Sequence, residues 1–314
     1  MTLAIIVMLI LAGLILHGVS YKRTAENRFH PSGDFIIVNG TRLHYLDLNP
    51  EAGGIPLLLI HGASSSLADM KLALGSLADE HRLILIDRPG CGFSQSCAQV
   101  GELRQQAKLL DAFLAELGVE KAVLVGQSLG TAVALSMAIH YRQRVAGLLL
   151  LAPVSHRWPG GVDWYNHAAR LPLIGWFFCH AIIQLYGRLN GETVTRQAFW
   201  PNEMPEGDVE TAQVPLVFRP GTFRANAEVL ASLHPQISKM EKEYADLKVP
   251  LRMLAGTHDA VVLSTIHGMS LKDKVAGATL RYVSNTAHTL HHFCLPEICE
   301  ELGQLQTDLT EKSQ

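Results

Sequence analysis

The chain has 314 residues, with 26 Lys+Arg against 29 Asp+Glu and a formal net charge of −3. Hydrophobic residues make up 48% and charged residues 18%, which excludes a disordered chain, and the absence of a basic excess argues against a nucleic-acid partner. Five cysteines with no C-x-x-C pair exclude a disulfide scaffold and a zinc ribbon, so reduced thiols are expected.

Residues 3–19, LAIIVMLILAGLILHGV, carry no formal charge. As a helix at about 1.5 Å per residue they reach roughly 26 Å, enough for a thin bilayer. A secretory signal would want basic residues before a shorter apolar run, and a buried core helix would show a polar stripe. A single-pass anchor at 1–22 is the expectation, in contact with membrane lipid. Lys22, Arg23 and Arg28 follow the run and none precede it, which puts the rest of the chain on the cytoplasmic side.

After a polar linker at 21–33, apolar runs at 35–38 and 42–48 flank Asn39-Gly40, a strong hairpin signal. Continuous apolar runs at 56–60, 82–86, 121–125 and 145–152 read as strands buried on both faces. Between them, helical spacing is found at 69–81, at 101–118 (closed by Gly118) and at 128–141. The rhythm stops at Pro153. From 154 to about 235 the chain is rich in aromatics and has no buried-strand pattern, so this stretch is expected to be an inserted helical lid. Strands resume at 250–255 and 279–283, and a helix closes the chain at 296–309. Strands alternating with helices imply a mostly parallel, eight-stranded α/β sheet with helices on both faces, in one domain over 23–314.

The string GQSLG at 126–130 is a G-x-S-x-G motif between a buried strand and a small-residue helix. A serine there sits on a sharp strand-to-helix turn, with glycines where a Cβ would collide, and the helix N-terminus favours developing negative charge. Ser128 is the candidate nucleophile. A serine hydroxyl needs a base, and the base needs an orienting acid. Asp259 lies just past the strand at 250–255 and is preferred to Asp246 and Asp273, which fall on helical surface. His288 lies in the loop after the last strand and is preferred to His291 and His292, which sit nearer the final helix. The H-x-x-H-H string at 288–292 could suggest a metal, but no matching carboxylate or cysteine ligands are expected nearby, so no metal is expected. An oxyanion needs two backbone donors. These are assigned to the N–H groups of Leu129 and of Ala63, in the loop after the strand at 56–60, with His61 a structural hydrogen-bonder.

With HGASSS at 61–66, DRPGCGFS at 87–94, GQSLG at 126–130, GTHD at 256–259 and NTAH at 285–288 in that order, the chain resembles the α/β-hydrolase superfamily from about residue 35 to 309. The layout looks most like the lidded epoxide-hydrolase, haloperoxidase and C–C-hydrolase branch. Epoxide hydrolases and haloalkane dehalogenases of that branch use an aspartate nucleophile, whereas Ser128 implies acyl transfer. The anchor together with SHRWPGGVDWY at 155–165 is similar to membrane-anchored bacterial α/β hydrolases, which implies a bacterial inner membrane. Gln127 stands where many relatives have His, and Thr131 where a second glycine is common. The resemblance implies a serine hydrolase acting on a small hydrophobic acyl substrate without a cofactor. C–C hydrolysis, acyl transfer and a silent ligand-binding scaffold remain as alternatives. The apolar stretch at 171–186 reads as a lid helix packed on the core, or as a lid face meeting lipid.

Overall fold

Leucine, isoleucine and valine runs with no polar face can be satisfied only inside a sheet covered on both sides. In the computed structural model, which describes residues 2–311, this is their position. Strands β1 (Asp34–Val38), β2 (Thr41–Leu48), β3 (Leu57–Ile60), β4 (Leu83–Ile86), β5 (Ala122–Gln127), β6 (Val145–Leu151), β7 (Leu251–Gly256) and β8 (Thr279–Val283) form one sheet in the order β1-β2-β4-β3-β5-β6-β7-β8. The β1–β2 and β2–β4 pairs are antiparallel and all others parallel. Every residue of β3, β4, β5 and β6 is buried.

Strand alternation divides these side chains between two cores. Leu58, Ile60, Ile84, Ile86, Leu124 and Leu148 pack with helices α3 (Leu103–Glu116) and α4 (Leu129–His140), and Leu57, Leu59, Leu83, Leu85 and Val123 pack with α2 (Leu67–Leu74) and α11 (Leu295–Glu311). Each such leucine contributes about 1.5–3 kcal/mol by leaving water. Between β6 and β7 the regular structure is all helical: α5 (Trp164–Arg170), α6 (Pro172–Phe177), a π-helical turn (Phe178–Ile182), α7 (Ile183–Phe199), α8 (Asp208–Thr211) and α9 (Pro220–Met240). Helix α10 (Gly268–Lys274) joins β7 to β8.

Two expectations are revised. The stretch at 21–33 is not a linker throughout, because helix α1 runs from Thr2 to Arg28. Tyr21, Ala25 and Phe29 recur every four residues and present one face to the insertion, where Ala25 and Phe29 are buried with Leu216, and Tyr21 Oη donates to the Pro215 carbonyl at 3.1 Å. The helix expected at 69–81 is α2 followed by a separate 3-10 turn, Gly75–Asp79, the break falling at Gly75.

Among the described residues, one helix, Ala4–Arg28, is long and apolar enough to cross a membrane. Only 6% of its most apolar window is buried, which separates it from a core helix. The sheet topology then fixes where chemistry can gather. From β3 the chain crosses to β4 on one side and later to β5 on the other, so the loops leaving β3 and β5 diverge and open a crevice at the carboxyl edge.

Candidate active site

Ser128 stands at that crevice, between β5 and α4, with φ +50° and ψ −120°. The turn is tight enough that a Cβ on Gly130 would lie 2.1 Å from the Ile60 carbonyl oxygen, and one on Gly126 would lie 2.8 Å from that of Gly130. Only glycine lets α4 start this close to β3. The Thr131 hydroxyl braces the turn from within, donating to the Ser128 carbonyl at 2.5 Å while accepting from Val154 N–H at 2.7 Å.

The loop after β8 brings His288 to the serine: its Nε2 lies 2.9 Å from Ser128 Oγ and its Nδ1 lies 2.9 Å from Asp259 Oδ2. An ionised carboxylate only accepts, so Nδ1 carries the proton and Nε2 is left to accept from the serine hydroxyl. Asp259 follows β7, is buried, and takes Val261 and Val262 N–H at 2.9 and 2.8 Å on Oδ1. That turn is packed against the histidine loop, since a Cβ on Gly256 would lie 2.4 Å from the Thr286 carbonyl oxygen. The structure thus brings together Ser128, Asp259 and His288, residues drawn from three separate strand ends. Asp246 and Asp273 lie elsewhere, in a 3-10 turn and in α10.

Leu129 opens α4, where the first N–H groups have no carbonyl partner within the helix. Ala63 lies in the loop that passes beside the serine, with Gly62 placed so that a Cβ would be 3.2 Å from Ser128 Cβ. This loop is held from below by a fully buried Arg88, whose guanidinium donates to the carbonyls of His61 at 3.0 Å and Gly62 at 2.8 Å. His61 Nδ1 meets the Gly62 carbonyl and its Nε2 accepts Arg88 N–H at 3.0 Å. Burial, then the Arg88 charge, push His61 down to about 3, so the ring is neutral and structural.

Four features were not found by sequence reasoning. Asn226, in α9, exchanges hydrogen bonds with Ser64 beside Ala63. Asn202, also in the insertion, donates to the Asn285 carbonyl at 2.9 Å and accepts Ala287 N–H at 3.2 Å, holding the loop before His288. Gln127 Nε2 donates to the His288 carbonyl at 3.3 Å. Finally, His291 and His292 do meet a carboxylate, Asp69, which lies more than 200 residues away in sequence. This corrects the premise on which no metal was expected. Gln127 lies inside the GQSLG motif, but the contacts of the others leave no periodic or motif-like trace. A surface cavity of about 750 Å³ lies elsewhere, at the amino ends of β5–β7 beside Lys121, Val145 and Pro250.

A hydroxyl, an imidazole and a carboxylate in one hydrogen-bonded line, with helix-terminal N–H groups beside them, is an arrangement able to transfer an acyl group. The whole-chain comparisons agree with the architecture. The alpha/beta hydrolase fold family matches residues 55–293, and the chain belongs to that family. It is 40% identical over 115 residues to the dihydrolipoyllysine-residue acetyltransferase component of the acetoin cleaving system of Pseudomonas putida, covering 37% of this chain and 31% of that protein. It is 33% identical over 135 residues to 2-hydroxymuconate semialdehyde hydrolase of Pseudomonas sp. (strain CF600), covering 40% and 45%. In both cases less than half of the relative is spanned. Among solved structures, the enol-lactonase of Burkholderia xenovorans LB400 superposes with a TM-score of 0.68 at 19% identity, covering 87% of this chain and all of that one. A membrane phospholipase A superposes with a TM-score of 0.68 at 18% identity, covering 98% of each chain. At these identities the likeness is one of fold.

Proposed function

We propose that the protein is a membrane-anchored serine hydrolase that cleaves a hydrophobic carboxylic ester. The observation carrying this reading is the continuous Ser128–His288–Asp259 hydrogen-bond line. Ser128 Oγ bonds to the ester carbonyl carbon while His288 Nε2 takes its proton. The oxyanion is met by the N–H groups of Ala63 and Leu129. The C–O bond to the alcohol then breaks, and the leaving oxygen receives the proton from His288. Water, deprotonated by the same ring, releases the acid and restores the serine. Asp259 holds the imidazole in the tautomer that both half-reactions need.

Helix α1 is the anchor, lying in the bilayer up to residue 22, with the domain from 23 on the cytoplasmic side. The insertion at about 154–235 is a lid over the crevice. Supporting the anchor are the exposed apolar side chains of α1, such as Leu9 and Leu16. The lid reading is supported by the insertion's hydrogen bonds to both site loops. Exposed Trp164, Leu173, Ile174 and Leu189 on the same insertion favour an apolar acyl substrate.

The matched C–C bond hydrolase favours a second reading, carbon–carbon cleavage on the same three residues. The test is fluorophosphonate labelling of detergent-extracted protein beside Ser128→Ala and His288→Ala, followed by p-nitrophenyl ester and 2-hydroxymuconate semialdehyde assays. Wild-type labelling alone, with ester turnover, is the expected result. Turnover of the semialdehyde without ester hydrolysis selects the second reading, and a folded wild type that does not label makes the chain a silent scaffold.

A further inference from the structure

Beyond His288 the chain makes one 3-10 turn, Leu290–His292. Both histidines of this turn point Nε2 at one carboxylate: Asp69, in α2, has Oδ2 3.2 Å from His291 Nε2 and Oδ1 2.9 Å from His292 Nε2. On the other side of His292 stands Asp208, in α8 of the insertion. Its Oδ1 is 3.9 Å from His292 Nδ1 and has no hydrogen-bond partner. The side chains of His291, His292 and Asp208 are at most 3% exposed.

This cluster sets two carboxylates against two imidazoles, out of reach of any other cation among the described contacts. A neutral His292 that donates Nε2–H to Asp69 must present a bare lone pair at Nδ1, aimed at an unpartnered oxygen of Asp208. With Asp208 ionised, two acceptors then face each other, a costly arrangement among side chains this buried. A cation seated between Asp69 and the two Nε2 atoms reverses this. Coordination through Nε2 forces the proton of His292 onto Nδ1, where Asp208 Oδ1 can accept it, the carboxylate–histidine–metal pattern of protein metal sites. Two carboxylates also balance one divalent ion.

The dimensions agree. Two ligand atoms about 2.0–2.2 Å from a tetrahedral ion stand roughly 3.3–3.5 Å apart. The Asp69–histidine spacings of 2.9 and 3.2 Å need to open by only a few tenths of an ångström, and the ligand atoms all lie within 4.8 Å of one another. The Ser65 hydroxyl, donating to Asp69 Oδ2 at 2.8 Å, already orients that ligand.

We propose that Asp69, His291 and His292 bind a divalent transition-metal ion, with Asp208 fixing the tautomer of His292. Two imidazoles and a carboxylate suit zinc and disfavour magnesium or calcium, which take oxygen ligands. The ion ties α2 to the turn three residues beyond His288 and to the insertion. It is a structural brace beside the hydrolytic residues, and it stands independently of the reaction those residues perform.

The test uses untagged full-length protein in detergent, stripped with a chelator, reloaded with Zn²⁺ and freed of excess ion by gel filtration. Metal analysis should find about one zinc per wild-type chain, and less than about a tenth of that in Asp69→Asn and in His292→Gln. Asp208→Asn should weaken zinc binding by about 10–100-fold, and Cys299→Ser, at an exposed thiol, should leave loading unchanged. Stripped wild type should also unfold at a temperature that rises with added Zn²⁺ and not with Mg²⁺, a readout that serves if Asp69→Asn fails to fold. Wild type that retains no more zinc than Asp69→Asn, or whose unfolding temperature ignores Zn²⁺, overturns the proposal and leaves the cluster held together by protons.

Discussion

Asn226 and Ser64 exchange two hydrogen bonds across 162 positions of sequence: Ser64 N–H donates to Asn226 Oδ1 at 3.0 Å, and Asn226 Nδ2 donates to Ser64 Oγ at 3.2 Å. Ser64 has φ +51°, a conformation a serine rarely holds unaided, and it is the neighbour of Ala63. A helix of the insertion thereby sets the backbone that is proposed to meet the oxyanion. Asn226→Ala leaves the Ser64 N–H without its acceptor, at a cost of about 1–3 kcal/mol. If half of that falls on the transition state, kcat drops about 2- to 13-fold with KM little changed. Steady-state ester kinetics check this. Asn226→Asp, which keeps the acceptor, should recover more of the rate than Asn226→Ala.

Asp259→Asn should leave the loop in place and fail at proton placement. The amide can still take Val261 and Val262 N–H on its oxygen. Its NH₂ then faces His288 Nδ1 and favours the tautomer with the proton on Nε2, where it blocks the serine. By analogy with serine proteases kcat should fall about 10⁴-fold. Matched fluorophosphonate labelling rates and thermal unfolding separate this loss from misfolding.

How far the sequence revealed all this depends on the range of the interaction. The strands were legible because runs such as LLLI and VAGLLLL have no solvent face to offer, and Ser128 because its glycines answer a local steric problem. Asp259 and His288 were legible from chain order and from their place after strands, since carboxyl ends share one edge. Tyr21, Ala25 and Phe29 carried a four-residue spacing that the helical continuation of α1 explains, although the neighbouring charges suggested a linker. Asn202, Asn226 and the Asp69–His291–His292 meeting had no such trace. Each joins segments more than 80 residues apart, and a single polar residue has no period.

Stability should weaken in acid. Burial, followed by the Arg88 charge, pushes His61 from 6.5 to about 3, and burial, followed by His156, pushes His267 to about 4. Both rings act as neutral acceptors, His61 from Arg88 N–H and His267 from Ser155 and His156 N–H. Their folded-state values lie below the unfolded one, so the unfolded chain takes up more protons as pH falls. The stabilisation is full above about 6.5 and is lost progressively down toward 3–4. The unfolding midpoint should therefore drop steadily below pH 6.5, and His267→Gln should flatten part of that slope while lowering stability at pH 7. A midpoint unchanged between pH 7 and 5 contradicts the buried neutral assignment.

Gly18 provides a way to loosen the insertion from α1 without removing the apolar helix. A Cβ at this position would lie 1.8 Å from the His180 carbonyl oxygen, in the π-helical turn of the insertion, so the two backbones touch only because the residue is glycine. Gly18→Val adds apolar surface and should leave partitioning into the membrane fraction intact. It should also force α1 away from the insertion, at an overpacking cost of about 1–3 kcal/mol. At roughly 2–4 °C per kcal/mol for a chain of this size, the unfolding midpoint should fall by several degrees. Proteolysis should become faster within α5–α7, while β5 and α4 stay protected. Deleting residues 2–20 should instead release the protein from the membrane fraction, and the pair of measurements separates the proposed anchoring from the packing of α1 on the insertion.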